Sequence, residues 1–233
     1  MHLWIGTSGF QYPEWKGKFY PEDLSVAKML GYYSERFSTT EINYSFRQIP
    51  KETTVKKWVD GTPDDFCFTF KAPRKVTHFA KLDHCGDTMK YFHEVMLGLG
   101  KKRGCVLFQL PPEFEKDVDR LSEFLRILPK DSKAAFEFRH ESWFDDEIYK
   151  ALKKYNAALC LAESADLTTP RIVTADFGYL RLRREDYTKA DLEDLAEFVK
   201  KQKKKWSDAF IYFKHEQKGV GPEFAKVMQG LLE

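Results

Sequence analysis

What most constrains the fold of this chain is a repeat of form, not of residues. Eight runs rich in β-branched and aromatic residues lie at 3–9, 39–46, 66–71, 105–110, 134–140, 157–163, 177–183 and 209–215. They begin on average about 29 residues apart, the length of one strand-plus-helix unit. Between them apolar residues recur at helical spacing, over 24–37, 51–59, 87–99, 118–128, 147–155, 189–205 and 222–232. The fourth of these repeats Val118, Leu121, Leu125 and Leu128, and Pro129 stops it. The sixth and seventh runs stand closer together than the others, so a helix between them is short or missing. Eight alternating units predict an α/β protein, a single (β/α)8 TIM barrel spanning residues 1–233. An open doubly wound sheet is the alternative.

Composition narrows the function classes. The 233 residues hold 38 Lys and Arg against 36 Asp and Glu, a net charge of +2. That balance does not by itself make a nucleic-acid protein. No stretch approaches the ~20 apolar residues of a membrane span, and no basic-then-apolar leader opens the chain, so a cytoplasmic protein without membrane contact is expected. Cys67, Cys85, Cys105 and Cys160 include no pair at structural-zinc spacing. Cysteines inside strand-like runs read as small buried hydrophobes, which suits a reducing compartment. No Walker loop or dinucleotide glycine fingerprint occurs, so no cofactor is expected. Nothing in the sequence assigns an oligomeric state.

Strand parity then picks out site candidates. Side chains of a barrel strand alternate between the helix layer and the interior, and the helix side must be apolar. In the second run Ile42, Tyr44 and Phe46 take the helix side, so Glu41, Asn43 and Ser45 point inward. By the same rule Lys71, Gln109, Glu137, Arg139, Tyr179, Arg181, Arg183, Tyr212 and Lys214 point inward, and Glu163 ends the sixth run. These groups crowd toward the C-terminal ends of the strands, where barrel active sites lie. Buried charges must be paired, wet or ligand-bound. Cations outnumber carboxylates, which favours an anionic ligand. A purely structural ion network is the alternative.

Several motifs run through these positions: Gly6-Thr7-Ser8-Gly9-Phe10-Gln11-Tyr12 with Trp15 and Phe19-Tyr20-Pro21; Glu41-Ile42-Asn43; Phe70-Lys71-Ala72-Pro73 with Thr77-His78; Phe108-Gln109-Leu110-Pro111-Pro112; Glu137-Phe138-Arg139-His140 with Ser142-Trp143; and Tyr179-Leu180-Arg181-Leu182. In this order, over nearly the whole chain, they resemble the YecE-like family, catalogued as domain of unknown function 72. The resemblance implies a TIM barrel and no established activity. This chain departs from the family at three places. Arg183-Arg184 stand where members usually carry His-Gly, Lys214-His215 stand where Asn residues are common, and Phe10 replaces a Trp. The first two changes make the mouth more basic.

Phe10, Tyr12, Trp15, Phe19 and Tyr20 sit on the loop after the first run, either as a stacking surface for sugars or bases or as a lid packed on its own barrel. Gly219 and Gly221, in the segment 218–222, precede a helix that Pro222 is placed to begin, and bare amides there favour anions. His78, His140 and His215 end strand-like segments beside Glu41, Glu137 and Glu163; the neighbouring cations oppose a metal ion, so no metal is expected. The five lysines in 200–205 follow Asp191, Glu193 and Asp194 on one helix, the arrangement that the helix dipole prefers.

The expectation is therefore a protein that binds a small anionic or phosphorylated molecule. Catalysis falls to Glu137 and Glu41 with His140 assisting. Binding falls to Arg139, Arg181, Lys71, Asn43, Gln109, Lys214, Tyr12, Trp15, His78, Trp143, Gly219 and Gly221. Cofactor-independent hydrolase, lyase and isomerase chemistry all fit. Nucleic-acid binding through the basic mouth and aromatic loop is one alternative, and a non-catalytic sensor or scaffold is another.

Overall fold

A computed structural model describes residues 1–163, 167–214 and 219–233. Its strands are β1 (His2–Ser8), β2 (Thr39–Ile42), β3 (Cys67–Lys71), β4 (Arg103–Gln109), β5 (Ala134–Glu137), β6 (Ala158–Leu159), β7 (Leu161–Glu163), β8 (Phe177–Leu182) and β9 (Asp208–Phe213). All pair in parallel, in the order β6-β5-β4-β3-β2-β1-β9-β8-β7. Neighbours in sequence are neighbours in space, as a barrel requires and a doubly wound sheet does not. β6 and β7 are two pieces of the sixth run, parted at Cys160. One bonds to β5 and the other to β8, so the edges of the sheet meet there. The Cys160 N–H still donates to the Phe136 carbonyl at 2.8 Å.

The helices are α1 (Met29–Ser34), α2 (Tyr44–Arg47), α3 (Glu52–Asp60), α4 (Gly86–Leu97), α5 (Val118–Ile127), α6 (Asp146–Lys154), α7 (Lys189–Lys201) and α8 (Val220–Leu232). Their starts follow capping chemistry. Asp117 accepts from the Arg120 N–H ahead of α5, and Thr188 and Asp191 form a reciprocal capping box on α7. Lys200 and Lys201 fill the last turn of α7, opposite the acid at its start. No helix lies between β7 and β8 among the described residues.

The barrel interior is filled asymmetrically. Cys67, Cys105, Leu107, Ala135, Ala158, Cys160 and Ala162, from β3–β7 and the break at Cys160, face Phe177, Tyr179, Phe210 and Tyr212 from β8 and β9. Small side chains on one wall make room for rings on the other. Tyr212 OH lies 2.7 Å from both Thr39 Oγ1 and Thr69 Oγ1, so its buried hydroxyl is satisfied. Outside the sheet, Phe66, Phe68 and Phe70, with Phe108, Phe136 and Phe138, join the core under the helices.

Two expectations need correcting. β2 stops at Ile42 and the chain turns directly into α2, so Tyr44 is not on the helix side of a strand but 51% exposed. Polar Asn43 and Ser45 interrupt the strand, and Ser45 Oγ donates to the Ile42 and Lys71 carbonyls, drawing the chain into a turn. Second, α8 begins at Val220, two residues before Pro222, after Gly219 at φ +67°. Among the described residues no helix is long and apolar enough to cross a membrane.

Candidate functional site

The opening glycine motif has a physical basis. A Cβ on Gly6 would be driven into the Thr39 carbonyl oxygen, and Gly9 has φ +93°, so neither position suits another residue. Between them Ser8 points into the barrel and its hydroxyl donates to Glu41.

Glu41, on β2, is fully buried and saturated. It accepts from Ser8 Oγ, from Tyr179 OH at 2.6 Å and from Arg181 Nε at 3.0 Å and 3.2 Å. Burial alone would raise its carboxyl pKa, but the charge of Arg181 and these hydrogen bonds hold it below the ordinary carboxylate range. Arg181, on β8, is equally buried. Its Nη1 donates to Glu137 Oε2 at 3.2 Å and its Nη2 to Ser8 Oγ at 3.3 Å. Burial pulls down the pKa of this guanidinium, yet Glu41 and Glu137 outweigh that and keep it charged. Asn43 Nδ2 completes the layer, donating to Ser8 Oγ at 2.8 Å.

Above this layer the charges stop balancing. Arg139 follows β5 and contacts Glu137 Oε1, but its buried Nε has no hydrogen-bond acceptor among the described residues. Arg183 follows β8 and has no acid within ion-pair distance among the described residues; burial and the charges of Arg139 and Arg181 push its pKa down. Lys71 ends β3, 9% exposed, with Nζ 3.9 Å from the centre of the Phe46 ring. Its pKa is pushed down to about 7, chiefly by burial and then by Arg181, with Lys214 adding to the effect; Glu41 and Glu137 oppose it. Two buried carboxylates therefore serve Arg181 and Arg139, and further cations face the mouth.

The other candidates divide. Gln109 pairs in register with Glu137, beside the cluster. His78 lies with its ring 4.9 Å from Phe46, on a π-helical turn, and burial and Lys71 lower its pKa. Tyr12 OH donates to the Ser8 carbonyl at 2.8 Å. Tyr12 also lines a cavity of about 410 Å³ with Gly9, Phe10, Gln11, Ile42, Asn43, Tyr44, Thr54 and Trp58. That cavity borders the charged layer through Asn43. His140 uses Nδ1 locally, 2.8 Å from Ser142 Oγ and accepting from the Ser142 N–H, to cap a short 3-10 turn.

Trp15 and Trp143 belong elsewhere. Trp15 has no exposed surface and packs against Tyr12, Phe19 and Tyr20, so the loop is a lid on its own barrel and not an open stacking surface. Trp143 is equally buried, stacked at 4.7 Å on Phe138, with Nε1 donating to the Phe114 carbonyl. Gly219 abuts the Lys18 side chain and Gly221 is buried in the first turn of α8. His215 and Lys218 lie outside the described residues. Among the described residues, no three His, Cys, Asp or Glu side chains converge as metal ligands would.

Sequence reasoning passed over Phe46, assigned to a helix-facing strand position, and Ser8, whose role parity with Gly6 would have revealed. An unforeseen α2 explains the first miss.

An α/β barrel whose C-terminal mouth gathers buried and half-buried cations around a carboxylate-bound arginine is the class that these features define. A family model described as a protein of unknown function, DUF72, matches residues 4–233, and the chain belongs to that family. It is 32% identical over 143 residues to the YecE protein of Escherichia coli K12, in a match that covers 61% of this chain and 50% of that protein's length. It is 24% identical to the YunF protein of Bacillus subtilis 168, over 99% of this chain and 95% of that one. A crystal structure of a DUF72 family protein from Thermotoga maritima superposes with a TM-score of 0.90 at 26% identity, covering 100% of this chain and 99% of that one.

Proposed function

We propose that the C-terminal mouth is the active site of an enzyme that acts on a small anionic molecule, a phosphorylated metabolite being the best fit, by carboxylate acid–base chemistry. One observation carries this reading. The two buried carboxylates, Glu41 and Glu137, are engaged by Arg181 and Arg139, while Arg139 Nε has no acceptor and Arg183 no acid within ion-pair distance among the described residues. An anion is what would neutralise them, and guanidinium groups in a dry site bind phosphate or carboxylate with directed hydrogen bonds.

The two carboxylates suit different tasks. Glu41 is held ionised with donors on both oxygens, so it positions Arg181. Glu137 keeps Oε1 free of a well-directed hydrogen bond, although Arg139 contacts it, and is the better acid–base candidate. Arg139, Arg181, Arg183 and Lys214 would hold the anion and stabilise developing charge. The nucleic-acid alternative keeps the basic mouth but loses its stacking surface, because Trp15, Phe19 and Tyr20 are buried.

A thermal-shift panel at ~150 mM salt tests this, since that salt screens weak surface charge. It would hold phosphate, phosphorylated sugars, neutral sugars, divalent metals and short oligonucleotides. A ligand at 100 times its Kd stabilises by about 2.7 kcal/mol. A shift with a phosphorylated compound that is lost in Arg139→Ala or Arg183→Ala is the expected result. A shift with oligonucleotides alone would move the reading to nucleic acid. No shift at all would leave an internal ion network.

A further inference from the structure

Anion binding does not explain the placement of Lys71. An ammonium in a site this dry costs several kcal/mol unless carboxylates or acceptors surround it. Glu41 and Glu137 are committed to Arg181 and Arg139, and Lys71 Nζ instead sits over the Phe46 ring. Among the described residues its Nζ has no hydrogen-bond acceptor. The groups that face it are Arg181, Glu41, Glu137 and Lys214, and His78 packs edge-to-face with Phe46 nearby. Burial and the charges of Arg181 and Lys214 favour the neutral amine against the opposing pull of Glu41, Glu137 and the face of the Phe46 ring, and the pKa near 7 agrees. A desolvated lysine beside another cationic group is an activated nucleophile. It also stands at the C-terminal end of its strand, where a barrel presents reactive groups to substrate.

We propose that Lys71 Nζ is a nucleophile that captures the carbonyl carbon of an anionic aldehyde or ketone, forming an imine with it. The inference rests on the anion-site reading above and names the substrate class of that site. The step balances with one proton from solvent and needs no oxidant or reductant. The amine nitrogen bonds to the carbonyl carbon, and the carbon–oxygen bond breaks after the oxygen is protonated. The oxygen leaves as water with one of the two protons of the neutral amine and one proton taken up from solvent, and the other amine proton stays on the iminium nitrogen. Arg183 and Arg139 would hold the anionic end of the substrate, and the iminium would serve as the electron sink for proton abstraction or bond cleavage at the neighbouring carbon.

The test is reductive trapping on the unmodified protein. Glyoxylate, an aldehyde carrying a carboxylate, is incubated at pH 7.5 with cyanoborohydride as the hydride source, and labelled lysines are located by peptide mass spectrometry. A lysine with an ordinary pKa near 10.4 is almost wholly protonated at that pH. Lys71 should therefore be labelled at least about tenfold faster than the exposed Lys203, Lys204 and Lys205. Neutral acetaldehyde should show a smaller preference, and excess phosphate should slow the glyoxylate reaction. Lys71→Arg, which cannot form an imine, should lose the fast label while its melting curve persists.

The outcomes separate the two claims. Labelling of Lys71 no faster than of the exposed lysines overturns the nucleophile, and leaves the anion site standing if phosphate still raises the melting temperature. Fast labelling of Lys71 that phosphate does not slow, and that acetaldehyde matches, supports the nucleophile and overturns the anion site. Because the decisive comparison is made within the wild-type chain, it stands even if Lys71→Arg fails to fold.

Discussion

Glu41 and Arg181 meet across the barrel interior, with Arg181 Nε 3.0 Å from Glu41 Oε1, and neither side chain reaches solvent. Such a pair repays its desolvation only when the remaining donors and acceptors are satisfied, and here Ser8, Tyr179 and Glu137 satisfy them. Breaking it strands a buried charge. Glu41→Ala should cost about 3–5 kcal/mol, seen as a lower urea midpoint with an unchanged slope. A midpoint within 0.5 M of wild type would contradict it, given a typical urea slope of about 1–3 kcal/mol per molar. The pH dependence has a definite sign. The folded pKa of Glu41 lies below its ordinary value of 4.5, so its contribution is present above that value and lost as pH falls below it. Glu41→Gln should flatten the acid limb of the stability curve.

Lys71 sets a second pH dependence of opposite origin. Its folded pKa is about 7 against an ordinary 10.5, so between these values the unfolded chain binds more protons than the folded one. Stability attributable to Lys71 must therefore rise with pH across that window. Below pH 7 both states carry the proton and the full penalty for burying it remains. Lys71→Met removes the penalty and the slope together. The difference between the two proteins should favour Lys71→Met at pH 6 and shrink by pH 9, measured by urea melts at each pH.

Gly6 carries a structural burden that its motif does not advertise. A Cβ there meets the Thr39 carbonyl oxygen and the Tyr33 hydroxyl, and a backbone oxygen cannot swing away. Gly6→Ala should destabilise by about 1–3 kcal/mol through overpacking. Gly31→Ala, on α1 with open space around it, should be neutral or stabilising. The two variants compared in one urea series give the check.

Strand spacing and parity made most of the architecture legible. Lys71, Gln109, Glu137 and Arg181 occupy strand positions of the parity that faces inward, and the lack of a helix after the sixth run among the described residues follows from its short connection. Parity failed where the strand itself failed. It carried Tyr44 and Phe46 along a strand that ends at Ile42, because a serine that bends the chain by bonding to two carbonyls looks like any other polar residue in the sequence. Which carboxylate each arginine takes was not legible either. That depends on side-chain reach across the barrel, from β8 to both β2 and β5, which no spacing along the chain encodes. The aromatic loop was ambiguous for a related reason: rings that stack on a ligand and rings that pack on each other have the same composition.

The last ambiguity yields its own prediction. Trp15 meets Tyr12 at 4.8 Å, Phe19 edge-on at 5.8 Å and Tyr20 at 6.0 Å, and Phe19 continues the cluster to Tyr33 and Phe37. Tyr33 OH in turn accepts from the Thr7 N–H and lies 2.9 Å from the Thr39 carbonyl oxygen, so the lid is tied to β1 and β2, the strands that hold Ser8 and Glu41. Trp15→Ala should therefore cost about 3–5 kcal/mol, the usual loss for truncating a buried tryptophan. Trp15→Phe keeps an aromatic core and should leave ligand affinity within about twofold of wild type, because the ring touches no ligand surface. If Trp15→Phe retains wild-type stability but loses tenfold or more in affinity for a phosphorylated ligand, about 1.4 kcal/mol of binding, the loop is a stacking platform after all and opens to receive its substrate.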